Sequence, residues 1–240
     1  MKKLLDDHKI EHTRISAIDG KNDISQYCVP SIFISTYANA CTTSHMKALQ
    51  YFVDNIEDDR VIIFEDDVSF EFLPYISGNW SDFEKMLPDD YNVVQLAIIT
   101  THPLTTDLTQ YLGHSSAAAY LIKKKAANEI LRNYVSDGKV KLRWNIHPVA
   151  DHAVYSLPHT YSIPIFTYLN EDSTIHDDHL DLHKKAKDQQ YQAWIRSGDK
   201  ALRYRPVPKN NKWVIIAIVL IVIIFIVINL MSCAHNSLRS

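Results

Sequence analysis

Apolar positions first settle into a helical rhythm after Thr43, where Met46, Leu49, Val53 and Ile56 fall on one face, with Thr42, Thr43 or Ser44 able to cap the first turn. The spacing predicts a helix ending near Glu57, followed by a polar turn at Asp58-Asp59-Arg60. The unbroken run Val61-Ile62-Ile63-Phe64 then reads as a short buried strand of the kind found in parallel sheets, stopping at Glu65-Asp66-Asp67. A second unit repeats the logic: Trp80 to Met86 is predicted helical, Pro88-Asp89-Asp90 turns, and Tyr91 to Ala97 is a strand. Further along, Ala117 to Leu121 is predicted as a strand and Lys124 to Val135 as a helix closed by Ser136-Asp137-Gly138. Tyr161 to Leu169 reads as an extended segment broken at Pro164, and Asp178 to Arg196 as a polar helix stopped by Gly198. There is no internal repeat, and the alternation predicts one α/β domain with a mostly parallel central sheet.

Past Tyr204 the pattern changes. Pro206 and Pro208 lie in a polar linker, and Trp213 to Ile228 is an unbroken apolar run that continues past Asn229 through Leu230 and Met231 to Cys233, with no Asp, Glu, Lys or Arg inside it. Roughly 20 such residues span a bilayer core. A buried core helix is the competing reading, opposed by consecutive Ile and Val residues that leave no polar face. The division predicted is a domain over 1–203, a linker over 204–212, a transmembrane helix over 213–233 and a short tail over 234–240. Met1 to Glu11 turns polar within six residues, unlike a signal peptide. Lys200, Arg203, Arg205, Lys209 and Lys212 precede the apolar run and only Arg239 follows it. The positive-inside rule therefore predicts a single-pass, C-terminally anchored membrane protein with its large domain in the cytoplasm and membrane lipid as a partner.

Composition narrows the chemistry. Of 25 basic and 28 acidic residues, only Lys212 and Arg239 lie beyond residue 210, so the large domain carries a formal charge of −5 and nucleic acid is not expected as a partner. The five glycines, at 20, 78, 113, 138 and 198, cannot be written as GxGxxG or GxxxxGK[ST], and no GxSxG elbow exists. Three cysteines, Cys28, Cys41 and Cys233, show no framework spacing, as expected in a reducing compartment.

Chemistry concentrates at Glu65-Asp66-Asp67, where a hydrophobic strand ends, since open α/β sheets bind ligands outside the carboxyl ends of their strands. Three adjacent carboxylates repel until a hard divalent cation supplies opposing charge, and oxygen ligands suit Mg²⁺ or Mn²⁺. A solvated acidic turn is the competing reading, of the kind seen at Asp58-Asp59 and Asp89-Asp90.

Around this triplet Thr43-Ser44-His45-Met46-Lys47-Ala48-Leu49 and Val61-Ile62-Ile63-Phe64-Glu65-Asp66-Asp67-Val68 resemble glycosyltransferase family 25, which includes lipooligosaccharide galactosyltransferases and the collagen galactosyltransferase domain. Arg14 to Gly20, Leu87-Pro88 to Leu96, and Ser116 to Ile122 followed by Ala126 and Ala127 are similar to further family segments in the same order, covering about residues 12 to 175. The resemblance implies a GT-A-like fold using a nucleotide sugar, UDP-linked, with Mn²⁺ or Mg²⁺ at the acidic motif. It implies Glu65 and Asp67 as metal ligands, Asp66 orienting the ribose or a metal-bound water, and Ser44 and His45 approaching the donor at the start of a helix. His176, in Asp172-Ser173-Thr174-Ile175-His176, resembles a late third ligand; alternatively His176, His179 and His183 form a zinc face of their own, or begin a solvated helix. Asp151 stands where the family carries an acidic residue near the acceptor, suiting a general base, with a helix cap as the other reading.

The expected reaction is metal-dependent transfer of a sugar, galactose or glucose, from a UDP-sugar to a glycan, lipid-linked or protein hydroxyl acceptor. The family opens with a strand ahead of the part matching Lys2 to Gly20, which leaves a second expectation, a degenerate membrane-tethered binding protein. A metal-dependent phosphoesterase using Glu65, Asp66, Asp67 and the His176 cluster is the third.

Overall fold

The computed structural model describes residues 1–142, 149–169, 180–197, 200–201 and 204. The chain divides into two units, Met1–Pro206 and Val207–Ser240, and the second lies outside the described residues together with the predicted membrane span 213–233. Among the described residues no helix is long and apolar enough to cross a membrane.

The first unit begins with α1 (Lys2–Asp7), β1 (Cys28–Val29), α2 (Thr36–Asn55) and β2 (Arg60–Phe64). It continues with β3 (Val68–Ser69), β4 (Ile76–Ser77), α3 (Trp80–Met86), β5 (Val93–Ala97), β6 (Thr109–Gln110) and β7 (Ala119–Lys123). It closes with α4 (Lys124–Tyr134), β8 (Val135–Ser136), β9 (Lys139–Lys141), α5 (Ala150–Val154), β10 (Thr160–Tyr168), α6 (Leu180–Ser197) and β11 (Lys200–Ala201).

The main sheet has six strands in the order β2-β7-β5-β10-β3, with β6 also on β10. It is mixed, not mostly parallel as predicted. Only β5 and β10 pair in parallel, while β2–β7, β5–β7, β10–β3 and β10–β6 are antiparallel. The reason is physical: a strand buried on both faces reads as a continuous apolar run whichever way it points, so the pattern carries no direction. Here β7 returns between β2 and β5 and reverses two pairings.

Side chains alternate between two cores, as the two-residue strand period requires. Tyr120 and Ile122 of β7 join Met46, Leu49 and Phe52 of α2, Ile130 of α4 and Ala153 of α5 on one face. Ala119 and Leu121 join Val94, Leu96, Ile163 and Phe83 on the other.

Several predicted boundaries shift for identifiable reasons. Helix α2 starts at Thr36, capped by Ser35, whose Oγ accepts the Ala38 N–H at 3.1 Å. The residues read as caps lie inside it, and their hydroxyls bond backwards: Thr42 to the Ala38 carbonyl at 3.1 Å, Thr43 to Asn39 at 2.7 Å and Ser44 to Ala40 at 2.7 Å. Strand β2 lies at the sheet's edge with all five residues half-buried, instead of being a buried central strand. Asp137 (φ 53°) and Gly138 (φ 70°) turn the β8–β9 hairpin, so they do more than close α4. Strand β10 runs through Pro164, and its register with β5 slips between Ser162 and Phe166, the irregularity in which a residue without an N–H is tolerated.

Candidate functional site

Cys41 and His45 are four residues apart on α2 and therefore share a face. That face meets the carboxyl end of β2. The Glu65 N–H extends the β2–β7 ladder to the Ala118 carbonyl at 2.7 Å, which fixes the backbone from which its side chain leaves. Glu65 Oε1 then lies 2.9 Å from His45 Nε2 and 3.9 Å from Cys41 Sγ. The other imidazole nitrogen, Nδ1, is 3.1 Å from the hydroxyl of Tyr120 on β7. His45 is buried, whereas Cys41 and Glu65 are half-buried, so the cluster opens toward solvent on one side. Burial pulls the His45 pKa down, but Tyr120, Cys41 and Glu65 together outweigh it and hold the imidazole well above its ordinary value.

A second constellation lies against the first. Ser116 adopts φ 101°, a backbone that serine rarely takes. Its N–H donates to Asp151 Oδ2 at 2.9 Å, and its carbonyl accepts from Tyr155 Oη at 2.8 Å and from Gln95 Nε2 at 3.0 Å. Asp151 and Tyr155 stand four apart at the start and just past the end of α5, so one helical turn clamps both sides of the strained peptide. Burial raises the Asp151 carboxyl above the usual carboxylate range; the Ser116 N–H pulls it down and the charge of Glu65 pushes it up. Tyr111, whose ring centroid is 4.9 Å from that of Tyr155, is pushed up to about 12 by burial and by Asp151.

The predicted site residues thus fall into three groups. Glu65, His45 and Asp151 come together, with Glu65 and His45 both acting on the Asp151 carboxyl. Asp66 is exposed and Asp67 half-buried. Asp67 belongs to the end of β10: its carbonyl accepts the Leu169 N–H at 2.7 Å, and its charge, after burial, raises Tyr168. Ser44 is not at a helix start; mid-α2, its Oγ accepts the Ile18 N–H at 2.9 Å and so pins the extended N-terminal segment onto the helix. His176 and His179 lie outside the described residues, while His183, their third member, packs its ring edge-on against Tyr168 at 5.2 Å.

Sequence reasoning missed Cys41, Tyr120, Ser116 and Tyr155. The Cys41-x-x-x-His45 spacing was available as a signal, because i,i+4 places two ligand-type side chains on one helical face. Compared with known proteins, the chain matches no family model and no curated protein.

Proposed function

We propose that the protein is a metal-dependent glycosyltransferase, GT-A-like and related to family 25, moving a sugar from a UDP-sugar to a hydroxyl acceptor. In this reading the 213–233 segment tethers it to a membrane with the large domain cytoplasmic. The observation that supports it is the meeting of the carboxylate-bearing end of β2 with Asp151, a carboxylate whose proton affinity is raised. Asp66, exposed, and Asp67, half-buried, would hold Mn²⁺ or Mg²⁺, whose positive charge would stabilise the leaving diphosphate, since hard oxygen ligands select such ions. Asp151 takes the proton of the acceptor hydroxyl as its oxygen bonds the anomeric carbon and the diphosphate leaves with the bonding electrons. Tyr155 and Ser116 hold Asp151's helix and peptide in place, which is a positioning role.

One observation favours a second reading. Glu65 is engaged by His45, which leaves fewer outward carboxylates for a cation than the sequence pattern suggests, and a tethered nucleotide-sugar-binding protein needs fewer. Hydrolysis of UDP-galactose and UDP-glucose by the purified protein, with and without Mn²⁺, separates the two. Mn²⁺-dependent release of UDP supports transfer. Binding of UDP without release supports the tethered binding protein, and neither binding nor release removes both.

A further inference from the structure

Glu65, Cys41 and His45 raise a question that the diphosphate cation does not answer: why a helix presents a thiol and an imidazole to a carboxylate at the end of a strand. The three ligand atoms, Sγ, Nε2 and a carboxylate oxygen, all lie within 4.8 Å of one another. Among the described residues this is the group of three or more such side chains close enough to hold an ion, and Asp66 and Asp67 are not in it. Zinc bonds to sulfur at ~2.3 Å, to imidazole nitrogen at ~2.0 Å and to carboxylate oxygen at ~2.0–2.2 Å. An ion seated among these atoms therefore meets all three with small adjustments of side-chain torsions, because the Nε2 to Oε1 separation is 2.9 Å and the Sγ to Oε1 separation 3.9 Å.

The chemistry of the set selects the ion. A thiolate and an imidazole favour borderline-soft metals over Mg²⁺ or Mn²⁺. The orientation of His45 is also that of a ligand: Nε2 faces the cluster, and Nδ1 is satisfied by the Tyr120 hydroxyl from β7, the outer hydrogen bond that fixes tautomer and ring direction in metal-bound histidines. Half-exposure of Cys41 and Glu65 gives the ion a way in.

The geometry points to a zinc site formed by Cys41, His45 and Glu65, which fastens α2 to the end of β2 and leaves a fourth coordination position for water. On binding, the Cys41 thiol loses its proton to solvent and its sulfur donates a pair to the ion. The site uses a different carboxylate and a different class of metal from the proposed sugar transfer, although Glu65 and His45 also act on Asp151.

The test uses the full-length protein in detergent, stripped with a chelator and titrated with Co²⁺ as a spectroscopic stand-in for Zn²⁺. One equivalent is expected to bind with a thiolate-to-cobalt charge-transfer band in the near ultraviolet and the intense visible bands of a four-coordinate ion, and Zn²⁺ should displace it. Cys41→Ser should remove the charge-transfer band. Tyr120→Phe should keep the band and weaken Zn²⁺ affinity about 10-fold, the lower end of what losing an outer-sphere partner costs. Absence of Co²⁺ binding by the folded wild-type protein, or a band that survives Cys41→Ser, overturns the site. UDP and Mn²⁺ are absent throughout, so failure here leaves the transferase reading untouched, and failure of that reading leaves the zinc site untouched.

Discussion

Strands β2 and β5 are both five residues long and both apolar in sequence, yet they occupy opposite situations. Every residue of β5 is buried and it is paired on both sides, by β7 and β10, whereas every residue of β2 is half-buried and it is paired only by β7 along the main sheet. Burial follows position in the sheet, and so does the chemistry that a strand can carry. At the centre, the one polar side chain of β5, Gln95, is fully enclosed and spends its hydrogen bonds on structure, donating to the carbonyls of His114, Ser115 and Ser116 and accepting from Ser162. At the edge, β2 leads into three carboxylates of which Asp66 is exposed and Glu65 and Asp67 are half-buried. The buried strand helps hold Ser116 in its strained backbone, whereas the end of the edge strand leads Glu65 to His45 on α2.

Substitutions sharpen this contrast. The largest effect is expected for Gln95→Leu: the carbonyls of His114, Ser115 and Ser116 each lose one hydrogen bond but keep another, from Tyr111 Oη, the Ile99 N–H and Tyr155 Oη respectively, while the Ser162 hydroxyl loses its acceptor. At about 1 kcal/mol for each lost hydrogen bond and about 1–3 kcal/mol for the hydroxyl left unpaired, the fold should be destabilised by about 4 kcal/mol. Chemical denaturation measures it. If that variant is as stable as the parent, the network is not holding the 114–116 segment. Next, Leu96→Ala in β5 should cost about 3 kcal/mol and Ile62→Ala in β2 about 1 kcal/mol, because only the first opens a closed cavity. Equal losses would mean that the β2 edge is covered in solution. Smallest, and opposite in sign, is Asp151→Asn. The carboxyl's pKa is raised in the folded state, so its contribution to stability is fully present below the unfolded value near 3.8 and is lost as pH rises through the folded value. The amide keeps an acceptor for the Ser116 N–H and removes the burial of charge. Its melting temperature relative to the parent should therefore rise with pH across that window, while sugar transfer is lost. A melting-temperature difference that is flat with pH would show that Asp151 does not titrate abnormally.

Much of the architecture is legible in the sequence where local signals suffice. Trp80–Met86 carries its own boundary marks, Asn79 and Asp82 forming a reciprocal capping box, and the observed helix has the predicted limits. The α2 start is less legible, since three hydroxyl residues at 42–44 mimic caps while the working cap, Ser35, stands among other serines and threonines. Strand direction is not legible at all, because apolar runs look alike whichever way they point. At the site, the end of β2 was visible as a carboxylate triplet, but which carboxylate faces inward depends on α2 reaching across to it. Only the tertiary fold brings His45 to Glu65 over 20 residues and Asp151 to Ser116 over 35. Sequence alone likewise had no reason to separate Glu65 from Asp67, which the fold turns toward α2 and toward the end of β10 respectively.

The claim most open to direct trial is that the exposed end of β2 holds a hard cation against a nucleotide diphosphate. Calorimetric titration of UDP into the wild-type protein and into Asp67→Asn, each with Mn²⁺ and with chelator, reads it without depending on acceptor or sugar. Tight binding is expected only for the wild type with Mn²⁺, with loss of that metal-dependent binding in Asp67→Asn and no loss of thermal stability. UDP binding that ignores both the metal and the substitution would contradict it.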